Sequence, residues 1–318
     1  MPQCHNSLKA VKETMSETTV KKLKAADRQA VARKVITLLK KKYGGSVPKH
    51  SLPVLETVLY AICLENCISK AADAAFQRLL DSFHDLNEIR VSSISEIEQV
   101  LSDLPDPEWR ALRIREVLQF TFEKHYAFDL DVLKRKTMDI AEKQLAKIRY
   151  ITPFVRGYVL QQCLGSHVVP VDSHSQAALA WMGFIAPTAT DGAAAEEMKS
   201  AVKKQDAPLF CHLLRELTCD RKYSGTFIAA NAAEEGVIDA TTAPERLKSH
   251  LARPPRPKKK ASPKKSRKAV KKTRKKPTKT ARPKKAARKK AGAKVVTKKV
   301  AKKTAKKKKT TKRRTSSR

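Results

Sequence analysis

Apolar and polar residues follow one another with the spacing of helices along most of the chain. Residues 52–67 are apolar nearly all round, which is typical of a central buried helix. Other stretches repeat apolar residues every three or four positions, and no segment sustains the period of two that marks a half-buried strand. The pattern predicts an all-α body of about ten helices. Its helical segments are predicted at 21–43, 52–67, 70–83, 94–104, 108–126, 130–133, 138–148, 154–164, from 173, 192–204 and 207–219.

Residue types at several helix ends make this prediction more specific. Ser93 and Glu96 form an S-x-x-E capping box before 94–104. Ser69 is expected to cap the helix that follows it, because serine is a favoured N-cap type. Pro153 is expected in the first turn of the helix after it, where its missing N–H is not needed.

Asp172 stands where a short apolar run, 168–171, meets the start of a predicted helix. Asp172 and the adjacent Ser173 are both favoured N-cap types, and the alanines and leucine that follow favour a helix. Two interpretations of this carboxylate remain open. It is a plain helix N-cap, or it is a catalytic carboxylate held at a helix N-terminus.

Positive charge is concentrated at the end of the chain. The chain has 68 Lys and Arg against 31 Asp and Glu, a net charge of +37. Residues 251–318 hold 34 of the basic residues and no acidic one, so the other 34 are nearly balanced by the 31 acidic residues. A segment with few large apolar residues and strong self-repulsion cannot form a core. We therefore predict a flexible N-terminus at 1–20, a helical body at 21–250 and a disordered polybasic tail at 251–318.

The composition of the tail predicts binding to a polyanion. Its basic residues occur in runs such as R-P-K-K, and it has no aromatic residue to stack on single-stranded bases. It resembles the tails of linker histones and bacterial histone-like proteins, whose S-P-K-K turns lie in A·T-rich minor grooves. Double-stranded DNA is the expected partner, and RNA is the alternative because charge alone does not separate the two. The candidate contacts are Ser262, Lys264, Lys265, Arg282, Lys284 and Lys285.

The cysteines and the N-terminus bear on where the protein works. The first residues, M-P-Q-C-H-N-S-L-K-A, lack the apolar region of a secretory signal, and no apolar run is long enough to span a bilayer. The six cysteines include no C-x-x-C pair and fit a reduced set. Cys63 and Cys67 lie on one face of a predicted helix, either as a metal half-site or as two buried small hydrophobes. We expect a cytoplasmic, nucleoid-associated protein without a membrane partner, or a nuclear one if the host is a eukaryote.

Three stretches of the body resemble a known family. The apolar L-E-T-V-L-Y-A-I-C-L-E-N precedes the Ala-rich S-K-A-A-D-A-A-F-Q-R-L, and A-L-R-I-R-E-V-L-Q-F-T-F-E-K-H lies further along. The most specific stretch is I-R-Y-I-T-P-F-V-R-G-Y-V-L-Q-Q-C-L-G followed by H-V-V-P-V-D-S-H. Residues 52–219 thus resemble the endonuclease III superfamily of DNA glycosylases, with its helix-hairpin-helix–Gly/Pro/Asp fold. The resemblance implies a two-lobed helical domain.

The resemblance also implies roles for individual residues. Asp172 matches the family's essential aspartate, which implies that it supports base excision. The end of the central helix, Glu65 and Asn66, is implied as part of the base pocket, and a simple C-terminal turn is the alternative. His174 is either a general acid in the same pocket or a surface or capping histidine. The implied DNA contacts of the body are Ile151, Thr152 and Arg156.

The sequence departs from the family in three places. Tyr150 and Thr152 stand where the hairpin has a G-x-G pair, whose small size lets backbone N–H groups approach a phosphate. Phe154 stands where bifunctional members have a nucleophilic lysine, so Schiff-base chemistry and lyase activity are expected to be absent. Only Cys211 and Cys219 lie in the region where many members hold an iron–sulfur cluster on four cysteines, so we expect no cofactor and no metal.

Two functions of different classes are compatible with these observations. The first is a monofunctional DNA glycosylase, expected to be a monomer, that its basic tail tethers to DNA. The second is a catalytically inactive protein with the glycosylase fold that acts as a histone-like DNA-binding protein. The V-D-S-H run favours the first, and the loss of the hairpin glycines, the lysine and the cluster favours the second. The sequence leaves open which damaged base would be removed.

Overall fold

The computed structural model describes residues 23–223, 226–227 and 238–252, which all belong to one compact unit, Met1–Lys259. Within these ranges the regular elements are helices and no β-strand is formed, so the prediction of an all-α body is confirmed. The α-helices are α1 (Ala25–Tyr43), α2 (Val54–Leu64), α3 (Ser69–Ser82), α4 (Leu86–Val91), α5 (Ile94–Val100), α6 (Pro107–His125), α7 (Met138–Leu145), α8 (Pro153–Leu164), α9 (Ser173–Met182), α10 (Asp191–Ala201), α11 (Ala207–Cys219) and α12 (Ala243–Ala252). Two short 3₁₀-helices lie at Asp131–Arg135 and Ala240–Thr242.

The buried apolar residues form two separate clusters, which gives the body its two lobes. The first cluster is built from α2 to α8. The second is built from α9 to α12 together with α1, which packs against α10, α11 and α12. The chain therefore begins in one lobe, builds the other, and returns to the first.

Helix α2 is the centre of the first lobe. Every residue of α2 except Glu56 is buried, and the helix packs against α3, α6 and α8. An apolar helix that is covered on all sides explains why residues 52–67 lack a polar face. The C-terminal end of α2 is thereby fixed in the middle of the body.

Several predicted helix ends are confirmed and one is wrong. The capping box of Ser93 and Glu96 is present, and Pro153 opens α8. Ser69 does not cap α3, because Ile68 occupies the N-cap position and Ser69 is the first helical residue. The Ser69 hydroxyl instead lies 3.2 Å from Nδ1 of His212 on α11. The hydroxyl that the local pattern predicted to cap α3 thus interacts with a residue that is distant in sequence.

Other differences concern short elements. The segment predicted as a helix at 130–133 is a 3₁₀-helix, and the six-residue helix α4 was not predicted. Helix α12 was also not predicted and continues to Ala252, two residues past the expected end of the body. The predicted flexible N-terminus at 1–20 and the tail beyond Ala252, with its six candidate DNA contacts, lie outside the described residues. No helix in the part of the chain that is described is both long and apolar enough to cross a bilayer.

Candidate active site around Asp172

Asp172 occupies the N-cap position of α9 and is only 2% exposed. Its Oδ1 accepts a hydrogen bond of 2.7 Å from the Ser175 N–H, and its Oδ2 accepts one of 3.2 Å from the Asn66 N–H. Val169 and Val171, just before it, are buried and anchor the approaching segment. The carboxylate is therefore held at a helix N-terminus, as predicted, and it also carries a second bond that a plain cap does not need.

Asn66 connects the end of α2 to the start of α9. Its backbone has a φ of 53°, a left-handed conformation that asparagine adopts more readily than most residues. Its side-chain Oδ1 accepts hydrogen bonds from the Ser173 hydroxyl at 3.1 Å and from the His174 N–H at 3.2 Å. Because α2 and α9 belong to different clusters, Asn66 and Asp172 bond the two lobes to each other.

Glu65, the residue after α2, faces two arginines of α6. Its carboxylate Oε2 lies 2.6 Å from Nη1 of Arg113, and the side chain of Glu65 is 12% exposed. Arg110 donates to the backbone carbonyl of Glu65 and to that of Ile62, which neutralises the negative end of α2. Burial raises the pKa of Glu65, while the charge of Arg113 and a hydrogen bond with Thr152 oppose that rise.

The hairpin before α8 contains a left-handed turn that has no glycine. Tyr150 has a φ of 61°, and its ring is half-exposed with the Arg149 guanidinium 5.4 Å from its centroid. Thr152 caps α8 by accepting a hydrogen bond from the Val155 N–H. Ile151 is 8% exposed and packs in the first cluster, so its side chain does not face solvent. The exposed face of this turn is formed by aromatic and basic side chains.

The remaining predicted residues separate into two positions. His174 lies at the site, since its N–H bonds to Asn66 and its ring Nδ1 is buried without a hydrogen-bond partner in the described structure. Arg156 lies on α8 and is half-buried. The structure therefore brings Glu65, Asn66, Asp172 and His174 together, with Thr152 at their edge.

The arginines of α6 were not predicted as part of the site. Arg110 is 4% exposed and Arg113 pairs with Glu65, yet both looked like ordinary members of a long amphipathic helix. Only the packing of α6 against α2 shows that they complete the site. The sequence did contain one indication of this role. Arg110 lies next to Ala111 on the side of the helix that faces the core, where a buried cation requires a partner.

The cysteines present do not fit the family's iron–sulfur cluster. Such a cluster requires four thiolates. Burial raises the pKa of Cys211 and that of Cys219 to about 12, which favours the neutral thiol in both. Within the described ranges, no three or more His, Cys, Asp or Glu residues are grouped so as to hold a metal ion, and Cys63 and Cys67 are buried.

Comparison with known proteins gives matches among solved structures. No family model and no curated protein matches the sequence. A trapped endonuclease III–DNA covalent intermediate matches with a TM-score of 0.48 and 13% identity, covering 62% of this chain and 86% of that one. A thermostable thymine-DNA glycosylase matches with a TM-score of 0.46 and 12% identity, covering 62% and 87%. H. pylori 3-methyladenine DNA glycosylase bound to 1,N6-ethenoadenine matches with a TM-score of 0.40 and 14% identity, covering 66% and 99%.

These solved structures of DNA glycosylases are similar to this chain at TM-scores of 0.40 to 0.48. At these TM-scores and at identities of 12 to 14%, the function has to be argued from the residues of this chain.

Proposed function

We propose that this protein is a monofunctional DNA glycosylase with Asp172 as its catalytic carboxylate. The observation that carries the proposal is the position of that carboxylate. It is 2% exposed, fixed by two N–H donors, and joined to Asn66, 106 residues away, at the junction of two lobes. A carboxylate that only capped α9 would need neither the burial nor the second lobe.

The chemistry required of Asp172 is electrostatic. When the bond between a base and its sugar breaks, the sugar becomes cationic, and a nearby carboxylate stabilises that charge or orients a water molecule. The target nucleotide must be turned out of the duplex to reach a buried group. Because Asp172 is nearly inaccessible, the side chains around Glu65 and His174 must move apart when the base enters.

Phe154 supports the monofunctional character of the proposed reaction. Strand cleavage by a lyase requires an amine that forms a Schiff base with the sugar. Phe154, in the first turn of α8, is 3% exposed and has no such group. The proposed product is therefore an abasic site in an intact strand.

The tail is proposed to hold the enzyme on DNA. Its 34 basic residues without an acidic one favour non-specific contacts with phosphates, with RNA as a competing polyanion. A tether of this kind raises the local concentration of the body near damaged bases and allows it to slide, so that a monomer suffices.

A catalytically inactive, histone-like DNA-binding protein is the second candidate. The replacement of the hairpin glycines by Tyr150 and Thr152 favours it. In that case the tail would supply the function and the body would supply only a folded support.

Base release from a panel of damaged duplexes separates the two candidates. Full-length protein and Asp172→Asn are incubated with each duplex, and strand breaks are counted with and without alkali. The glycosylase predicts breaks only after alkali and only with the unsubstituted protein. Breaks without alkali would contradict the monofunctional assignment, and no release from any duplex would favour the inactive protein.

A further inference from the structure

Arg215 on α11 is a buried cation without a role in the proposed mechanism. It is 4% exposed, and its guanidinium carbon lies 5.7 Å from the centroid of the Phe154 ring. Phe154 lies in the first turn of α8, two residues after Thr152, whose hydroxyl bonds Glu65. The cation therefore lies next to Phe154, close to the hairpin residues that border the candidate site.

Two of the three guanidinium nitrogens of Arg215 lack acceptors within the described residues. Its Nε and Nη1 are buried and have no hydrogen-bond partner among the residues that are described. No carboxylate in those ranges lies within ion-pair distance of it, in contrast to Arg113, which pairs with Glu65. Burying a charge without hydrogen bonds is costly, so such a group commonly marks the place of a ligand with its own oxygen or negative charge.

Arg215 and Asp172 both act electrostatically on the thiols of Cys211 and Cys219. The Asp172 carboxylate raises the pKa of Cys211 and that of Cys219, and the charge of Arg215 lowers both, in addition to the dominant effect of burial. Cys211 and Cys219 are each four residues from Arg215 on α11, so they lie on its face of the helix. Each thiol is therefore within electrostatic range of the Asp172 anion and of the Arg215 cation.

We propose that Arg215 binds the departing base and that the substrates are oxo bases, which leave with negative charge on a ring nitrogen and a carbonyl oxygen. This inference rests on the proposed glycosylase function and adds its substrate class. Deaminated and oxidised bases belong to this class. Alkylated bases that are already cationic do not, because the buried charge of Arg215 repels them.

Water is the only other reactant that the reaction requires. The bond from C1′ of the sugar to the base nitrogen breaks, and both electrons leave with the base. Asp172 stabilises the cationic sugar, and Arg215 stabilises the anionic base. A water oxygen then bonds to C1′ and its proton is passed to the base, which gives the neutral free base and an abasic sugar.

The first part of the test is a comparison of substrates. Full-length protein is given matched duplexes with an oxo base (uracil, hypoxanthine or 8-oxoguanine) or a cationic alkylated base (3-methyladenine or 7-methylguanine). Release of an oxo base and not of an alkylated one is expected. Release of alkylated bases only, abolished by Asp172→Asn, would overturn the inference and leave the proposed function standing.

The second part tests Arg215 itself. Arg215→Met keeps the length of the side chain and removes its charge, and we expect its single-turnover rate on the oxo base to fall about 100- to 1,000-fold. Arg215→Lys is expected to lose less because it keeps the charge. A more acidic leaving base needs less stabilisation, so the loss should be smaller for 5-fluorouracil than for uracil. An equal loss on both bases, or no loss, would mean that Arg215 only packs against Phe154 and would overturn the inference.

A binding measurement covers the case in which no base is released. Duplexes with a 2′-fluorinated, non-hydrolysable oxo nucleoside are titrated with wild type and Arg215→Met. Binding that is at least tenfold weaker with the variant would keep the oxo-base pocket while the proposed hydrolysis fails. Equal binding would overturn the inference as well. Thermal unfolding of each variant checks its folding, and if Arg215→Met does not fold, the Arg215→Lys comparison decides.

Discussion

Asn66 combines an unusual backbone conformation with a bridging side chain, and the two contributions can be separated. Its φ of 53° favours glycine or asparagine, and its Oδ1 accepts bonds from Ser173 and His174. Asn66→Gly keeps the conformation and loses the bonds, so we expect a loss of about 1 kcal/mol in the free energy of unfolding. Asn66→Ala also introduces strain and is expected to lose about 1 kcal/mol more.

Urea unfolding of both Asn66 variants measures this difference. Both are expected to release bases more slowly, because the bridge that positions Asp172 is lost in each. A glycine variant less stable than the alanine variant would show that the left-handed turn is not strained in the protein.

His212 is a buried residue whose charge state changes the stability of the fold. Its ring Nδ1 lies 3.2 Å from the Ser69 hydroxyl, and burial lowers its pKa below the ordinary value of 6.5. Between that lowered pKa and 6.5 the unfolded chain binds more protons than the folded one, so the free energy of unfolding falls as the pH falls. We expect the wild type to lose more stability than His212→Gln between pH 7.5 and pH 5.5.

Unfolding midpoints in urea at the two pH values test this prediction. The variant lowers stability at both pH values because the bond to Ser69 is weakened, so the comparison concerns the slope with pH. Equal changes of unfolding free energy with pH in wild type and variant would show that protonation of His212 does not affect the folding equilibrium in this range.

At the scale of elements, Gly157 lets α8 approach the segment that leads to Asp172. A Cβ added at Gly157 would lie 3.3 Å from Val168 and from Pro170. Gly157→Ala is therefore expected to push that segment by a few tenths of an ångström. We expect a loss of about 1 kcal/mol in stability, because crowding exceeds the gain in helix propensity, and roughly a tenfold slower base release.

Gly192→Ala is the matched control for Gly157→Ala. Gly192 lies in the first turn of α10, and a Cβ there meets nothing within 4 Å. The control is expected to be at least as stable as the wild type and equally active. If Gly157→Ala behaved like this control, the approach of α8 would not determine the position of Asp172.

The elements also show which parts of the fold the sequence could predict. Helix α11 begins and ends at the predicted residues because its apolar face is long and regular. Helix α4 was missed because six residues are too few to establish a period. The position of α1 in the second cluster depends on contacts with helices far along the chain, which no local pattern contains.

The same limit applies to the candidate site. Asp172 was predictable because an aspartate at the start of a helix has a local signature. Arg113 and Arg215 were not, because each meets the site through a helix that is distant in sequence. The local sequence indicated the carboxylate, and only the packing of α6 and α11 revealed that Arg113 pairs with Glu65 and that Arg215 lies beside Phe154.

At the scale of the whole molecule, the charge is divided between a nearly neutral body and the strongly basic residues 251–318. Affinity falls with salt, and each phosphate contact adds about 0.9 to the magnitude of the negative slope of log affinity against log salt concentration. We expect the full-length protein to bind duplex DNA with a steep slope, and a chain ending at Ala252 to bind weakly with a shallow one. Fluorescence anisotropy between low and physiological salt measures both, and equal slopes would show that the tail is not the tether.

The central claim is that Asp172 does more than cap α9, and one comparison of rates tests it. Asp172→Asn and Asp172→Ser both keep a favoured N-cap type and remove the carboxylate. Single-turnover base release is measured for both on the lesion that the wild type processes. We predict rates at least roughly 100-fold below wild type, with unfolding free energies within about 1 kcal/mol. Rates within tenfold of the wild type would show that Asp172 is a helix cap and that the catalytic group lies elsewhere.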